Sequence, residues 1–397
     1  MSTTEQVTDI FVRTHGGTFN ACVGDNGTHD LRTYAEGYID ASILLLETLF
    51  EKNLLRSRDT LVHPILYSAR HAIELTIKHV LTELNKCDLQ TDENKIKGHS
   101  LGKLWSLFEV VTKHDSRLHN LFQSMNPIVQ YLDDIDKDAQ DFRYPEGNAK
   151  QGEKPKQTLE GKRIVDLVST YKVVMELKEL LMSLFSVVET VVEQRALGSF
   201  TQDLNREELK ELSEACSDDT SAYFGETKKK WRALHGLSGK GFERAISFIQ
   251  KHREFAGNIG VESDLLALSS ELLDQIVEWK KKDIQREIED RGLSVFESAK
   301  KRSISWDAYE ELKTSLTPEV VADLEALYYL SSLSHYSEVY ESLYEQHLRN
   351  LAFPDKAAQE RECMTSFIRL FDKTPFLDCL IVSLRLVGQV NLSEKYA

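Results

Sequence analysis

Proline and cysteine are both scarce in this chain, at 7 and 5 of 397 residues. Few prolines leave long stretches free to run as uninterrupted helices. Cys22, Cys87, Cys216, Cys363 and Cys379 stand far apart, and none forms a CxxC pair. That argues against a structural zinc knuckle and fits a reducing, cytoplasmic setting. No apolar run approaches the roughly 20 residues that a membrane span needs. The best candidate, "LIVSLRLVGQV" at 380–390, is short, contains Arg385 and reads as a core helix. The opening "MSTTEQVTDI" has neither the basic nor the apolar region of a signal peptide. Cations are also short: 49 Lys and Arg face 64 Asp and Glu, for a formal net charge of −15. Phosphate would be repelled by most of such a surface, which excludes a protein that coats nucleic acid throughout and leaves room for a local basic patch. Walker A, GxGxxG, GxSxG, kinase and HExxH patterns are all missing, so no cofactor is expected. "LSGKG" is not a phosphate loop, because Gly rather than Ser or Thr follows Lys240.

What is present is ordinary globular material, 41% hydrophobic and 28% charged, with apolar residues repeating at the helical period. The chain reads as mainly all-α. The exception is "DIFVRTHGGTFNACVGDNGTH", where β-prone residues broken by glycine turns predict a small hairpin or extended element at the N-terminus. Helices are then expected over 34–53, 60–85, 101–114 and 116–138. A long one over 165–195 would be the spine of a bundle. Three parts follow from the changes in composition: a helical bundle over 1–198, a basic helical middle region over 199–302 and a C-terminal helical domain over 303–397.

The stretch "HPILYSARHAIELTIKHVL" carries the first chemical signal. On a helical wheel Val62, Ile65, Ala69, Ile73, Thr76, Ile77, Val80 and Leu84 fall on one side. Tyr67, His71, Glu74 and Lys78 fall on the other, at spacings that make them neighbours, with Arg70 able to pair with Glu74. A phenol, a base, an acid and a cation in one stripe could bind a phosphate and move a proton. A solvated helix face with ordinary ion pairs would look the same. Two further stretches bear on the choice: "GHSLGKLW" places His99 just before a helix, and "DFRYPEG" places Arg143 and Tyr144 at a loop entry. Helix capping is the plain alternative for His99. A pair with Asp141 or Glu146 is the plain alternative for Arg143. A metal site of His71, Glu74 and His99 is a weaker rival.

"GYIDASILLLE", "RHAIELTIK", "GHSLGKLW" and "FRYPEG", in that order over the first half of the chain, resemble a bacterial group of HEPN-like helical proteins. The resemblance implies a helical bundle that usually forms a homodimer or other homo-oligomer. It also implies either a metal-independent ribonuclease of toxin–antitoxin or anti-phage systems, or a non-catalytic module that senses or scaffolds a nucleotide or protein partner. Ribonuclease members carry Arg, four to six residues, then His. Arg56 and Arg58 stand at that spacing from His63, about as often as chance provides in a chain with 12 histidines. The residues expected to act are therefore Arg70, His71, Glu74, Lys78, His99, Arg143 and Tyr144. His71 or His99 would be the base for the RNA 2′-hydroxyl. Arg70, Lys78 and Arg143 would face the phosphate, Glu74 would orient a histidine, and Tyr144 would stack or donate.

In the middle region Lys228, Lys229, Lys230, Trp231, Arg232, Lys240 and Arg244 combine cations with an aromatic, as single-stranded RNA or DNA recognition requires. A helix hairpin with solvated lysines and buried aromatics is the equal alternative. Tyr329, Leu333, Tyr336, Tyr340 and Tyr344 would form one helical stripe, read as core or interface, with His335 and His347 in the same packing.

Overall fold

The computed structural model describes residues 20–25, 29–87, 89, 96–113, 115–136, 139–146, 158–219, 221–289 and 304–397. Among them are sixteen α-helices, two short 3-10 turns and no β-strand. The expected all-α class is therefore found. Most of the expected N-terminal hairpin lies outside the described residues. The chain divides into two compact units, 1–196 and 197–397.

The first unit holds α1 (Leu31–Glu51), α2 (Arg58–Asn85), α3 (Leu101–Thr112), α4 (Ser116–Ile135) and α5 (Leu167–Ala196). Asp30 starts α1 by accepting from the Thr33 amide, and Asp115 starts α4 by accepting from the Arg117 amide. Both carboxylates satisfy amides that the first helical turn leaves open. α5 buries Val174, Leu177, Leu181, Leu184, Val188 and Val191. That is a three-four repeat, which keeps one seam against the bundle. α2 lies deeper, touching α1, α3 and α5. It buries Ile65, Ala69, Ile73, Ile77, Val80 and Leu84 on the expected face, and also Arg70 and Glu74. Its other side is therefore no solvated face, which overturns the plain reading of the stripe. The layer above it is made by the loop before α3 and by the turn after α4.

The second unit holds α6 (Arg206–Ser217), α7 (Gly225–His235), α8 (Gly239–Ile249), α9 (Arg253–Asn258), α10 (Ser270–Glu289), α11 (Ile304–Leu312), α12 (Pro318–Ser332), α13 (Tyr340–Asn350), α14 (Lys356–Phe371), α15 (Phe376–Leu386) and α16 (Val390–Tyr396). Asn205 and Glu208 form a reciprocal capping box at the start of α6. One hydrophobic cluster runs through α6 to α9 and a second through α10 to α16, so α10 shares a core with the C-terminal helices. The run 380–390, expected as one core helix, is split: α15 ends at Leu386 with Leu380 and Leu384 buried, and the chain turns at left-handed Gly388 before α16. No helix among the described residues is long and apolar enough to cross a membrane.

The tyrosine stripe is not one helix. α12 ends at Ser332, Ser334 adopts a left-handed backbone (φ 57°), and α13 begins anew at Tyr340. Tyr329, Tyr340 and Tyr344 still pack in the C-terminal core, whereas Leu333 is exposed. Tyr340 is fully buried and donates to Asp323, which also accepts from the Ala267 and Leu268 amides at 2.7 and 2.9 Å. His347 lies 3.1 Å from buried Glu325 and stacks on Tyr329.

Candidate functional site

The stripe on α2 is organised around one carboxylate. Glu74 is 1% exposed, and its two oxygens meet three basic side chains at hydrogen-bond distance. Oε2 accepts from Arg70 at 2.9 Å; Oε1 accepts from Lys78 at 2.9 Å and lies 2.8 Å from His99 Nδ1. His71 Nδ1 stands further off, 3.9 Å from Oε2. Burial would push the Glu74 carboxyl up, but hydrogen bonds from Lys78, His99 and Arg70 outweigh it and hold the group below its ordinary value. Glu74 is thus a carboxylate, an acceptor only. It follows that His99 donates from Nδ1, which leaves Nε2 as the nitrogen turned away from Glu74. The His99 side chain is 67% exposed, so that nitrogen can reach a solute.

Arg70 is the anchor of the arrangement and is completely buried. Besides Glu74, it donates to the His99 carbonyl at 2.9 Å and to the Asp136 carbonyl at 3.2 Å, with the Asp136 carboxylate 3.2 Å from Nε. The expected phosphate contact by Arg70 is therefore corrected: all its directions of donation are turned inward. Its work is positional, because it ties the His99 loop and the turn after α4 to α2. Asp136 continues that link by accepting from the Gln140 and Asp141 amides at 2.7 and 3.1 Å. This turn delivers Arg143, whose guanidinium donates to the Ala139 carbonyl and lies 5.5 Å over the Tyr67 ring and 5.6 Å over Tyr144. Such stacking holds a cation in place without neutralising it. Tyr144 is exposed.

His71 is half-buried between Tyr67, on which it stacks at 5.3 Å, and Tyr38, which meets it edge-on at 4.6 Å. Burial lowers its pKa, and the nearby Arg70, Lys78 and Arg143 charges add to that against the pull of Glu74. It is neutral at physiological pH. Burial likewise raises the Tyr67 phenol.

All seven expected residues of the first unit thus gather around Glu74 or on the turn tied to it. Asp136, Tyr38 and Asp133 were not foreseen. Asp133 accepts from the Gly102 amide at 2.7 Å, and a Cβ on Gly102 would fall 2.4 Å from that carboxylate. A side chain at the second glycine of "GHSLGKLW" would therefore displace the Asp133 carboxylate. No local signal separates Asp136 from its neighbours in "DDIDKD". Arg58 and His63 lie in the first two turns of α2, exposed and away from this cluster. Among the described residues no group of three or more His, Cys, Asp or Glu side chains could hold a metal ion.

The basic middle region is arranged differently from a stacking platform. Trp231 is 5% exposed, packed on His235 at 4.5 Å, and Phe242 is also buried. The indole expected to stack on bases is core. Lys228 lies 3.7 Å from Glu243, Arg232 donates to the Leu237 carbonyl at 3.1 Å and Arg244 pairs with Asp203 at 2.5 Å. Lys229, Lys230 and Lys240 are exposed cations.

No protein-family model, curated protein or solved structure matches this chain.

Proposed function

We propose that the first unit is a metal-independent, HEPN-like ribonuclease site in which His99 is the base. The observation that carries the reading is the Glu74–His99 contact: a buried carboxylate fixes the tautomer of an exposed imidazole. His99 Nε2 takes the proton of an RNA 2′-hydroxyl, and the imidazolium so formed is stabilised by Glu74. The 2′-oxygen attacks the adjacent phosphorus, the bond to the 5′-oxygen breaks, and that oxygen takes a proton from the solvent the open site admits. The products are a 2′,3′-cyclic phosphate and a free 5′-hydroxyl. Lys78 and Arg143 offset the charge that gathers on the phosphoryl oxygens. Anti-phage defence is the setting that the resemblance suggests.

The second reading is a non-catalytic sensor or scaffold, favoured by the complete burial of Arg70, which makes the same cluster a clamp of the fold. Incubating total RNA and single-stranded DNA with wild type, His99→Ala and Arg143→Ala in EDTA separates the two. Cleavage of RNA alone, lost in His99→Ala, supports the nuclease. A folded wild type that leaves RNA intact, or a His99→Ala protein that cuts equally well, favours the scaffold.

A further inference from the structure

The first unit carries a second concave feature, remote in composition from the Glu74 cluster. A groove of about 830 Å³ runs between the C-terminal end of α1, the first turns of α2 and the segment 159–168. That volume lies within the usual range of small-ligand sites, about 300–1,000 Å³. Its walls are aliphatic for the most part: Leu54, Leu55, Leu66, Leu159, Ile164 and Val165 line it. Ile164 is 91% exposed and Leu55 is 60% exposed, so apolar surface here lies open to water. Such side chains gain from an apolar occupant and have no hydrogen bond to offer a sugar or a base.

Its rim is polar and unevenly charged. Two carboxylates stand there, of which Asp59 is largely exposed. Asp59 lies 3.6 Å from Arg58, and Asp166 accepts from the Val168 amide and the Ser169 hydroxyl at the start of α5. Lys162 and Arg163 line the same rim, are exposed, and pair with no carboxylate among the described residues. In a chain of formal net charge −15, two uncommitted cations beside an apolar trough form a local exception.

We propose that this groove binds a single-chain amphiphile, with a long aliphatic tail along the Leu55–Leu66–Ile164 wall and an anionic head at Lys162 and Arg163. The tail supplies affinity by covering exposed aliphatic surface, and the head fixes which end lies at the rim. The site is independent of the nuclease reading.

The test is calorimetric titration of the full chain with dodecanoate, with 1-dodecanol and butanoate as probes lacking the head charge or the tail. Saturable one-to-one binding of dodecanoate is expected, with each control about ten-fold weaker or worse. Ile164→Asp and the Lys162→Glu, Arg163→Glu double variant change only exposed side chains. Each should keep the wild-type melting curve and lose about ten-fold in affinity. No saturable binding by the folded wild type would overturn the proposal. So would undiminished binding by both variants, or an acidic amphipathic peptide that occupies the groove and is not displaced by dodecanoate.

Discussion

Replacing Glu74 by glutamine removes one charge and little volume from the centre of the first unit. Arg70 is fully buried and would keep only Asp136 as a carboxylate partner. The new amide also brings an N–H towards a donor, since Arg70, Lys78 and His99 all approach the present carboxylate. Breaking a buried ion pair from one side costs about 3–5 kcal/mol. For a unit of this size that corresponds to a fall in Tm of about 6–20 °C. The pH dependence gives a sharper test. The Glu74 pKa is lowered in the fold from an ordinary value of 4.5. Its contribution is therefore complete above that ordinary value and is lost as pH falls through the depressed folded one. Urea unfolding of wild type and Glu74→Gln from neutral to acid pH should show a gap that is full at neutral pH and closes on acidification. The transition of the second unit should not move. Equal stability at neutral pH, or a gap that stays constant into acid, would refute the assignment of Glu74 as the buried ionised centre.

Further outcomes follow from other contacts. In the second unit a Cβ on Gly388 (φ +80°) would lie 2.3 Å from the Arg253 carbonyl oxygen, and one on Gly257 would lie 2.7 Å from Gly388 Cα. Gly388→Ala should cost about 2–4 kcal/mol in urea unfolding, while Gly260→Ala, left-handed but in open space, should cost about 1; equal costs would contradict the packing described. Imidazole NMR should place the His71 midpoint below 6.5, since burial lowers it, and its contribution to stability should be lost as pH falls below that ordinary value; a midpoint at or above 6.5 would contradict the burial. Trp231→Ala should destabilise the second unit by about 3–5 kcal/mol, as expected for an aromatic removed from a core. A single-stranded oligonucleotide should leave the Trp231 contribution to fluorescence unquenched.

Periodicity alone was enough to locate the helices of the first unit and the core side of α2. Apolar residues at the helical period and few prolines leave little alternative, whereas caps such as Asp30 and Thr317 emerge only in the structure. The sequence also grouped Tyr67, His71, Glu74 and Lys78, because three- and four-residue spacings on one helix are local geometry. What that group meets depends on packing across the fold. Whether the polar side of α2 is wet depends on the loop carrying His99 and on the turn made by Asp136, which reach α2 across 29 and 66 residues of chain. The same limit explains Arg70 and Trp231. A charged or aromatic residue reads alike in sequence whether it faces a ligand or a core, and burial is a property of the elements packed over it. The break at Ser334 belongs to this class as well: the tyrosine spacing is helical, but the packing of α13 against α12 requires the chain to turn there.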